Sequence, residues 1–431
     1  MYMEPKRFLI STIGSYGDVH PPLGIALELK RRGHKVTMAA QDKYEPRIRD
    51  LGLGYTIIKP GEKEFGPEQS WIDKGMHPIK GPEWVFRQVA FPYIRENYFN
   101  LLEAAREADV LTGQILTTVI PVLAEKLGKP WANLILQPTL FFSRHDPPTV
   151  EQPIFNALMK LTTKGEIPFR IAYEIGKVIT RPWTKSWRDL RREVGLPAAH
   201  NPIFEGQFSP YLNLALFSKV FSGPQPDWHP KTLITGFPFY DVEKNPELSP
   251  GLEQFLSSGP APLVFTLGTA AVYKAGDFYR VAQNAARKLG SRAVLLVGPD
   301  ERNRKGLVDD PNTYVTEYEP FSKIFPRASV IVHQGGVGTT AQALASGRPH
   351  IFFPFSHDQP DNAARSKRLG VSLTLHRKDF TEDTLASLVR QIQTGPDFER
   401  RAQEVAAEIR KENGISTAAD ALEGLAVAPR A

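Results

Sequence analysis

The chain has 431 residues, a formal net charge of +6 and no cysteine; this length exceeds one hydrophobic core and predicts two domains of about 200 residues each. The absence of cysteine excludes a disulfide, a thiolate metal site and a cysteine nucleophile, and no apolar run approaches the roughly 18 residues of a membrane span. The modest positive charge favours solubility and anionic small molecules, so we expect no nucleic-acid partner and no required membrane contact, and the absence of a signal-peptide pattern in residues 1–12 indicates a cytoplasmic protein.

The first 60 residues alternate between strand and helix patterns. Strands are predicted at residues 8–12, 35–40 and 55–58, with a helix opening at Pro21 and Pro22 and a short helix over residues 44–51. This alternation is typical of a doubly wound parallel sheet. A dehydrogenase would carry Gly-x-Gly-x-x-Gly at the first turn, but two prolines remove N–H donors from the helix start there. We therefore expect no dinucleotide site at this turn.

A stretch rich in proline and glycine separates the two predicted domains. Residues 222–261 are interpreted as the linker, between an N-terminal domain of residues 1–221 and a C-terminal domain of residues 262–431. The second domain opens with its own strand and glycine turn at residues 263–269. A helix over residues 277–289 and strands at 293–297 and 313–318 follow, which again predicts an α/β sheet.

Residues 332–369 carry the most specific pattern in the chain. An apolar strand ends at His333, a glycine turn follows, and a helix is predicted to begin at Thr339. Free N–H groups and the helix dipole at such a turn favour phosphate, and glycine allows close approach. A second strand, at residues 351–355, precedes Asp358 and Gln359, at the strand ends where open α/β sheets bind ligands. An ordinary βαβ unit with a glycine turn would not require His333, Asp358 or Gln359.

This stretch resembles the donor-binding signature of nucleotide-sugar glycosyltransferases of the GT-B type. The resemblance implies an α/β fold of two facing Rossmann-like doubly wound domains with a cleft between them, and a last helix that can pack back on the N-terminal domain. It further implies that Tyr318 stacks on the base, that the Glu319 backbone binds it, and that Gln342 occupies a position where family members often have a ribose-binding glutamate. The implied donor-binding residues are Gly268, Thr269, Tyr318, Glu319, His333, Gly335, Gly336, Gly338, Thr339, Thr340, Gln342, Asp358 and Gln359.

The first turn resembles the acceptor-side loop of the same family. Residues 14–29 match the form G-S-x-G-D-V-x-P of sterol-, rhamnolipid- and antibiotic-modifying members. The family's catalytic base, a histidine in plant-type enzymes, falls on Asp18, and His20 is the alternative. The alternative interpretation of Asp18 is a helix-capping residue. Aromatic side chains in residues 1–221 suit a lipophilic acceptor, and the candidates are Tyr16, Trp84 and Phe141.

The resemblance implies inverting, metal-independent transfer of a hexose from a nucleotide diphosphate sugar, with no cofactor. UDP-glucose is the first expectation for the donor and dTDP-rhamnose the second. The expected acceptor is a hydroxyl of a hydrophobic phenol or lipid, with an activated aromatic carbon as a variant. Two other classes stay open: a nucleotide-sugar epimerase on the same scaffold, and a non-catalytic auxiliary protein that binds nucleotide sugars. The oligomeric state is not predicted.

Overall fold

The computed structural model describes residues 4–66, 71–150, 153–241 and 246–428. The chain divides into two α/β units. The first unit contains the described residues up to Gly75, then Ile79–Tyr240 and residues 413–428; the second contains Met76–Pro78 and Asp241–Glu412. No helix in the described part of the chain is long and apolar enough to cross a membrane.

The first unit is built on a parallel sheet in the order β3-β2-β1-β4-β5-β6-β7. Its strands are β1 Arg7–Ser11, β2 Lys35–Ala40, β3 Gly54–Ile57, β4 Val110–Gly113, β5 Trp131–Ile135, β6 Leu212–Ala215 and β7 Thr232–Ile234. The central strands β4 and β5 are buried along their whole length, as expected for a parallel sheet covered on both faces.

Eleven helices in the described residues surround this sheet. They are α1 Tyr16–Arg31, α2 Glu45–Asp50, α3 Glu62–Phe65, α4 Ile72–Gly75, α5 Gly81–Trp84, α6 Ile94–Glu107, α7 Val119–Leu127, α8 Pro153–Thr162, α9 Glu166–Thr180, α10 Lys185–Glu193 and α18 Gly414–Val427. The last of these packs on α1, where an added Cβ on Gly24 would lie 2.9 Å from the Ile415 side chain. Arg32 and His34 also pair with Glu423, at 2.8 and 2.7 Å. The C-terminal helix thus belongs to the first unit.

Helix α1 begins earlier than predicted. It starts at Tyr16, so Pro21 and Pro22 lie inside it rather than at its first turn. Pro22 has no N–H to donate to the carbonyl of Asp18 four residues earlier. That carbonyl instead accepts from the Thr12 hydroxyl and from Nε2 of Gln114, each at 2.9 Å. Tertiary hydrogen bonds therefore replace the helical one.

The second unit contains a parallel sheet in the order β10-β9-β8-β11-β12-β13. Its strands are β8 Leu263–Thr266, β9 Ala293–Leu296, β10 Thr313–Thr316, β11 Val330–His333, β12 His350–Phe352 and β13 Ser372–Thr374. Its helices are α11 Pro250–Ser257, α12 Phe278–Lys288, α13 Phe321–Ile324, α14 Val337–Ser346, α15 Gln359–Arg368, α16 Glu382–Thr394 and α17 Phe398–Ile409. The strand order is that of a Rossmann fold. Two doubly wound parallel-sheet domains are therefore confirmed.

The stretch interpreted as a linker contains regular structure. β7 extends the first sheet and α11 packs in the core of the second unit, and both lie within residues 222–261. The boundary between the units falls between Tyr240 and Asp241. Proline and glycine mark the ends of these short elements rather than one continuous connection.

Candidate functional site

The glycine turn after β11 is tightly constrained. Gly335 has φ of +92°, and an added Cβ there would lie 2.5 Å from the Phe352 ring. Gly336 is the N-cap of α14, which begins at Val337, two residues before the predicted start. An added Cβ on Gly338 would meet no atom within 4 Å. The turn therefore presents backbone N–H groups at a helix N-terminus with little side-chain cover, the arrangement that binds anions elsewhere.

His333 ends β11 and is fully buried. Its Nδ1 accepts a hydrogen bond from the Gly335 N–H at 3.1 Å. Burial lowers the pKa of His333 well below its ordinary value, and the nearby His350 ring lowers it further. The neutral ring then carries its proton on Nε2, which has no hydrogen-bond partner in the described part of the chain. A buried N–H without an acceptor is uncommon, and an oxyanion would satisfy it.

Two further polar side chains line the same turn. The Thr340 hydroxyl is buried and finds no partner among the described residues, while the Thr339 hydroxyl accepts from Nε2 of Gln334 at 3.3 Å. Gln334 directly follows His333 in the chain but was not predicted as a site residue. The signal was its position: a polar residue immediately beyond the carboxyl end of a buried strand.

The turn after β8 makes room for Gln334. Gly268 has φ of +64°, and an added Cβ there would lie 2.2 Å from Nε2 of Gln334. Any other residue at position 268 would displace that amide. The neighbouring Thr269 is exposed. The structure thus brings Gly268 to the glycine turn through Gln334 and leaves Thr269 at the surface.

Asp358 and Gln359 begin α15, and both are already engaged. Asp358 accepts a hydrogen bond from Nδ2 of Asn362 at 2.7 Å. Oε1 of Gln359 accepts from the backbone N–H groups of Phe355 and Ser356, at 2.7 and 3.2 Å. The Gln359 oxygen therefore holds the loop. Its amide N–H₂ group is the part suited to a sugar hydroxyl.

The loop before α15 is also strained. His357 has φ of +60°, which is uncommon for a residue other than glycine. Backbone strain of this kind is concentrated at ligand sites, where surrounding contacts hold it in place. Here the Gln359 oxygen supplies two of those contacts on the residues just before His357.

The residues implied for base and ribose binding differ in exposure. Tyr318 is 59% exposed. Glu319 is buried, and its carboxylate accepts from the Ser249 hydroxyl and from the Ser249 N–H, the latter at 3.1 Å. The Glu319 side chain is therefore an anchor for residues before α11. Gln342 lies half-buried on α14.

In the first unit, Asp18 caps the start of α1. Its Oδ2 accepts from the backbone N–H of Ser15 at 2.9 Å and from the Ser15 hydroxyl at 3.2 Å. Gly14 is required beside it, since an added Cβ would lie 2.2 Å from the same oxygen. The capping interpretation thus describes the contacts of Asp18. Its place after β1 still puts the carboxylate at the ligand-binding edge of the sheet.

His20 points away from Asp18. Two residues on a helix are about 200° apart around its axis, so the two side chains face different directions. The His20 ring packs on the rings of Tyr16 and Tyr240, at 4.9 and 5.3 Å between centroids. Burial, with the Arg47 charge, lowers the pKa of His20 to about 4. The two residues therefore cannot act together on one proton.

The three candidate acceptor contacts have different surroundings. Tyr16 is half exposed. Trp84 stacks on Trp71 with 5.9 Å between centroids and an interplanar angle of 14°. Phe141 is buried and stacks on Trp228 at 3.9 Å, so its ring is core and offers little surface to an acceptor. The prediction for Phe141 is corrected accordingly, because local sequence does not distinguish a core aromatic from an exposed one.

Known proteins resemble this chain over nearly its full length. The model of the glycosyltransferase family 28 N-terminal domain matches residues 8–132, and that of the erythromycin biosynthesis protein CIII-like C-terminal domain matches residues 289–423. The chain is 28% identical over 438 residues to the O-mycaminosyltylonolide 6-deoxyallosyltransferase of Streptomyces fradiae, covering 97% of each. It is 29% identical over 424 residues to the glycosyltransferase GtfC of Amycolatopsis orientalis, covering 96% of each.

A solved structure shares the fold. The glycosyltransferase VinC, crystallised in complex with dTDP, superposes with a TM-score of 0.69 at 18% identity. The match covers 97% of this chain and 99% of VinC. The similarity therefore extends across both units and is not limited to one of them.

Proposed function

Because the chain is a GT-B glycosyltransferase of the UDP-glycosyltransferase type, we propose that it transfers a hexose from a nucleoside diphosphate sugar to a hydroxyl of a hydrophobic acceptor. Transfer inverts the anomeric centre and uses no metal ion. The observation that carries this proposal is His333, a buried neutral imidazole three residues before the N-cap of α14, whose Nε2–H has no partner among the described residues.

The leaving group is a nucleoside diphosphate. As the acceptor oxygen forms its bond to the anomeric carbon, the bond from that carbon to the phosphate oxygen breaks and its electron pair goes to the diphosphate. His333 Nε2–H, the Thr340 hydroxyl and the N–H groups of the glycine turn stabilise the developing charge. These donors are already in place before reaction, so they need little reorganisation.

Asp18 is the proposed base. It takes the proton of the attacking hydroxyl, and direct displacement by that oxygen inverts the anomeric centre in this proposal. The alternative, His20, packs its ring on the rings of Tyr16 and Tyr240. Asp18 also matches the position of the family's base in the resemblance described above. In this proposal the first unit binds the acceptor and the second unit binds the donor.

The donor is proposed to be a uridine or thymidine diphosphate hexose. UDP-glucose remains the first expectation, and one solved structure supports a thymidine diphosphate donor. VinC was crystallised with dTDP, and the Streptomyces fradiae relative is named for transfer of a 6-deoxyallosyl group to O-mycaminosyltylonolide. That name also supports an acceptor that is a hydrophobic natural product.

The test is incubation with UDP-glucose or dTDP-rhamnose and a panel of phenols, macrolides and sterols, followed by mass detection. We expect a glycosylated acceptor, with the opposite anomeric configuration to the donor by NMR and an unchanged rate in EDTA. The Asp18→Asn variant is the matched control for background transfer. Conversion of the nucleotide sugar without any acceptor would instead indicate an epimerase, and donor binding without turnover over the whole panel would indicate an auxiliary protein.

A further inference from the structure

Helix α9 in the first unit leaves one apolar face uncovered. Its branched aliphatic side chains are 40–74% exposed and follow helical spacing, and we call them the α9 stripe: Ile167, Ile171, Ile175, Val178 and Ile179. From first to last they span roughly 18 Å of helix. Monomeric soluble proteins rarely expose a continuous apolar face of this kind, which usually marks an interaction surface.

The opposite face of α9 is firmly packed. Ala172, Gly176 and Thr180 are buried, and an added Cβ on Gly176 would lie 2.9 Å from the Phe204 ring. Tyr173 contacts the same ring at 4.9 Å between centroids. The orientation of the helix is therefore fixed by its own unit, and the α9 stripe cannot turn inward without breaking these contacts.

Charged residues of both signs run along one edge of the α9 stripe. In chain order they are Glu166, Arg170, Glu174, Lys177 and Arg181. Arg170 pairs with Glu166 at 2.6 Å, and Glu174 pairs with Lys177. The Arg170–Glu166 pair is exposed, so replacing it by an ion pair with another residue costs little free energy. With Lys177 the edge carries three positive and two negative charges, so it offers both signs to a partner of the same composition.

The order of these charges fits a second copy of the same helix. When two identical helices pair in antiparallel fashion about a twofold axis, an edge of one helix lies beside the same edge of the other, and the two edges run in opposite directions. Arg170 then lies opposite Glu174 of the second copy, and Glu174 lies opposite its Arg170. The same alignment places Ile167 against Val178 of the second copy and Ile171 against its Ile175. The three pairs agree on one alignment of the two helices to within about 3 Å along the axis.

We propose that the protein is a homodimer in which two α9 stripes pack in antiparallel fashion across a twofold axis. The contact buries apolar surface at its centre and exchanges the exposed ion pairs of one helix for pairs between two copies. Interfaces of this composition, with an apolar centre and a charged rim, are typical of stable association.

Sedimentation velocity and light scattering on the full chain test whether the apolar side chains of the α9 stripe hold the dimer together. We expect a dimer for the native protein and a monomer for Ile171→Asp, with an unchanged circular dichroism spectrum because Ile171 is exposed in the single chain. Val308→Asp is the matched control, since Val308 is a similarly exposed aliphatic residue outside α9, and it should remain dimeric. A native monomer, or a dimer that survives Ile171→Asp, would overturn the proposal.

A charge swap tests the register. Arg170→Glu and Glu174→Arg should each weaken dimerisation about tenfold or more, because like charges then face each other across the axis. The double variant Arg170→Glu/Glu174→Arg should restore most of the native affinity. Failure of the double variant to recover would refute the antiparallel pairing. Flotation with phosphatidylserine vesicles that is lost in Ile171→Asp would assign the α9 stripe to a membrane and likewise overturn the dimer.

Discussion

The side-chain nitrogen of Asn362 lies 2.7 Å from Oδ2 of Asp358 and donates a hydrogen bond to it. The same nitrogen donates to the carbonyl oxygen of Gly335 at 2.8 Å. Asn362 is fully buried on α15, so it joins the glycine turn after β11 to the polar loop after β12. One amide thereby sets the distance between the groups proposed to hold the diphosphate and those proposed to hold the sugar.

Replacing Asn362 should therefore weaken the site at two points. In Asn362→Leu both acceptors lose a buried donor, and each loss typically costs about 1–3 kcal/mol. We expect donor kcat/KM to fall about ten- to a hundredfold, by the conversion of about 1.4 kcal/mol per factor of ten. Asn284→Leu is the matched control, because Asn284 donates to Glu382 on α16 outside the site. Equal activity in the two variants would show that Asn362 only stabilises the fold.

Removing the His333 imidazole should impair the chemical step. Without Nε2–H the leaving diphosphate loses a preorganised donor, which we expect to cost about 2–4 kcal/mol of transition-state stabilisation. His333→Ala should show this as a lower kcat/KM in steady-state assays with the preferred donor. Near-normal turnover would place the leaving group away from β11.

The two candidate bases are separable by substitution. Asp18→Asn keeps an oxygen that can accept from the Ser15 N–H, so α1 should retain its cap while the base is lost. We expect transfer to be nearly abolished, with nucleotide diphosphate affinity by calorimetry unchanged because the variant lies in the first unit. His20→Gln should retain most activity. The reverse pattern would make the carboxylate structural and the imidazole the base.

Substitutions of Gln359 distinguish its contacts with the loop from its proposed contact with the sugar. Gln359→Glu retains oxygens for the Phe355 and Ser356 N–H groups but loses the amide donor. We expect about ten- to a hundredfold slower transfer from the preferred donor, with little change in UDP or dTDP affinity. Gln359→Ala removes both functions and should also lower the unfolding temperature. Unchanged rates with every donor in Gln359→Glu would remove this amide from the sugar site.

Buried neutral histidines should make the protein sensitive to acid. Burial lowers the pKa of His350 from 6.5 to about 4. Between these values the unfolded chain binds a proton that the folded chain does not, so stability is lost as pH falls below about 6.5. The fully buried His350 should contribute on the order of 2 kcal/mol to the loss between pH 7.5 and 5.

Urea unfolding of the native protein and His350→Gln at both pH values measures that contribution. The native protein should lose more unfolding free energy than the variant over this interval, by the amount assigned to His350. His333 and His20 are retained in both proteins, so their shared contribution cancels in the comparison. An identical pH dependence would mean that His350 does not stay neutral in the folded state.

The sequence by itself determined the alternation of strands and helices, the two domains and the glycine turn next to His333. These features depend on residues close together in the chain, where periodicity, glycine and the strand-to-helix order are sufficient. The donor-binding signature also lies within one short stretch of the chain, so its resemblance to a known family was visible in the sequence. Even so, the prediction for the start of α1 was wrong, because a local rule on proline was outweighed by distant hydrogen bonds to the Asp18 carbonyl.

Only the tertiary structure decided which polar groups meet. The amide of Gln334 occupies the space that a side chain at position 268 would fill. Asn362 donates a hydrogen bond to the carbonyl oxygen of Gly335, 27 residues earlier in the chain. The core position of Phe141 arises from Trp228, and the C-terminal helix joins the first unit through contacts with α1. Such contacts link segments far apart in sequence, and their free energy depends on packing geometry that no local pattern of residues encodes.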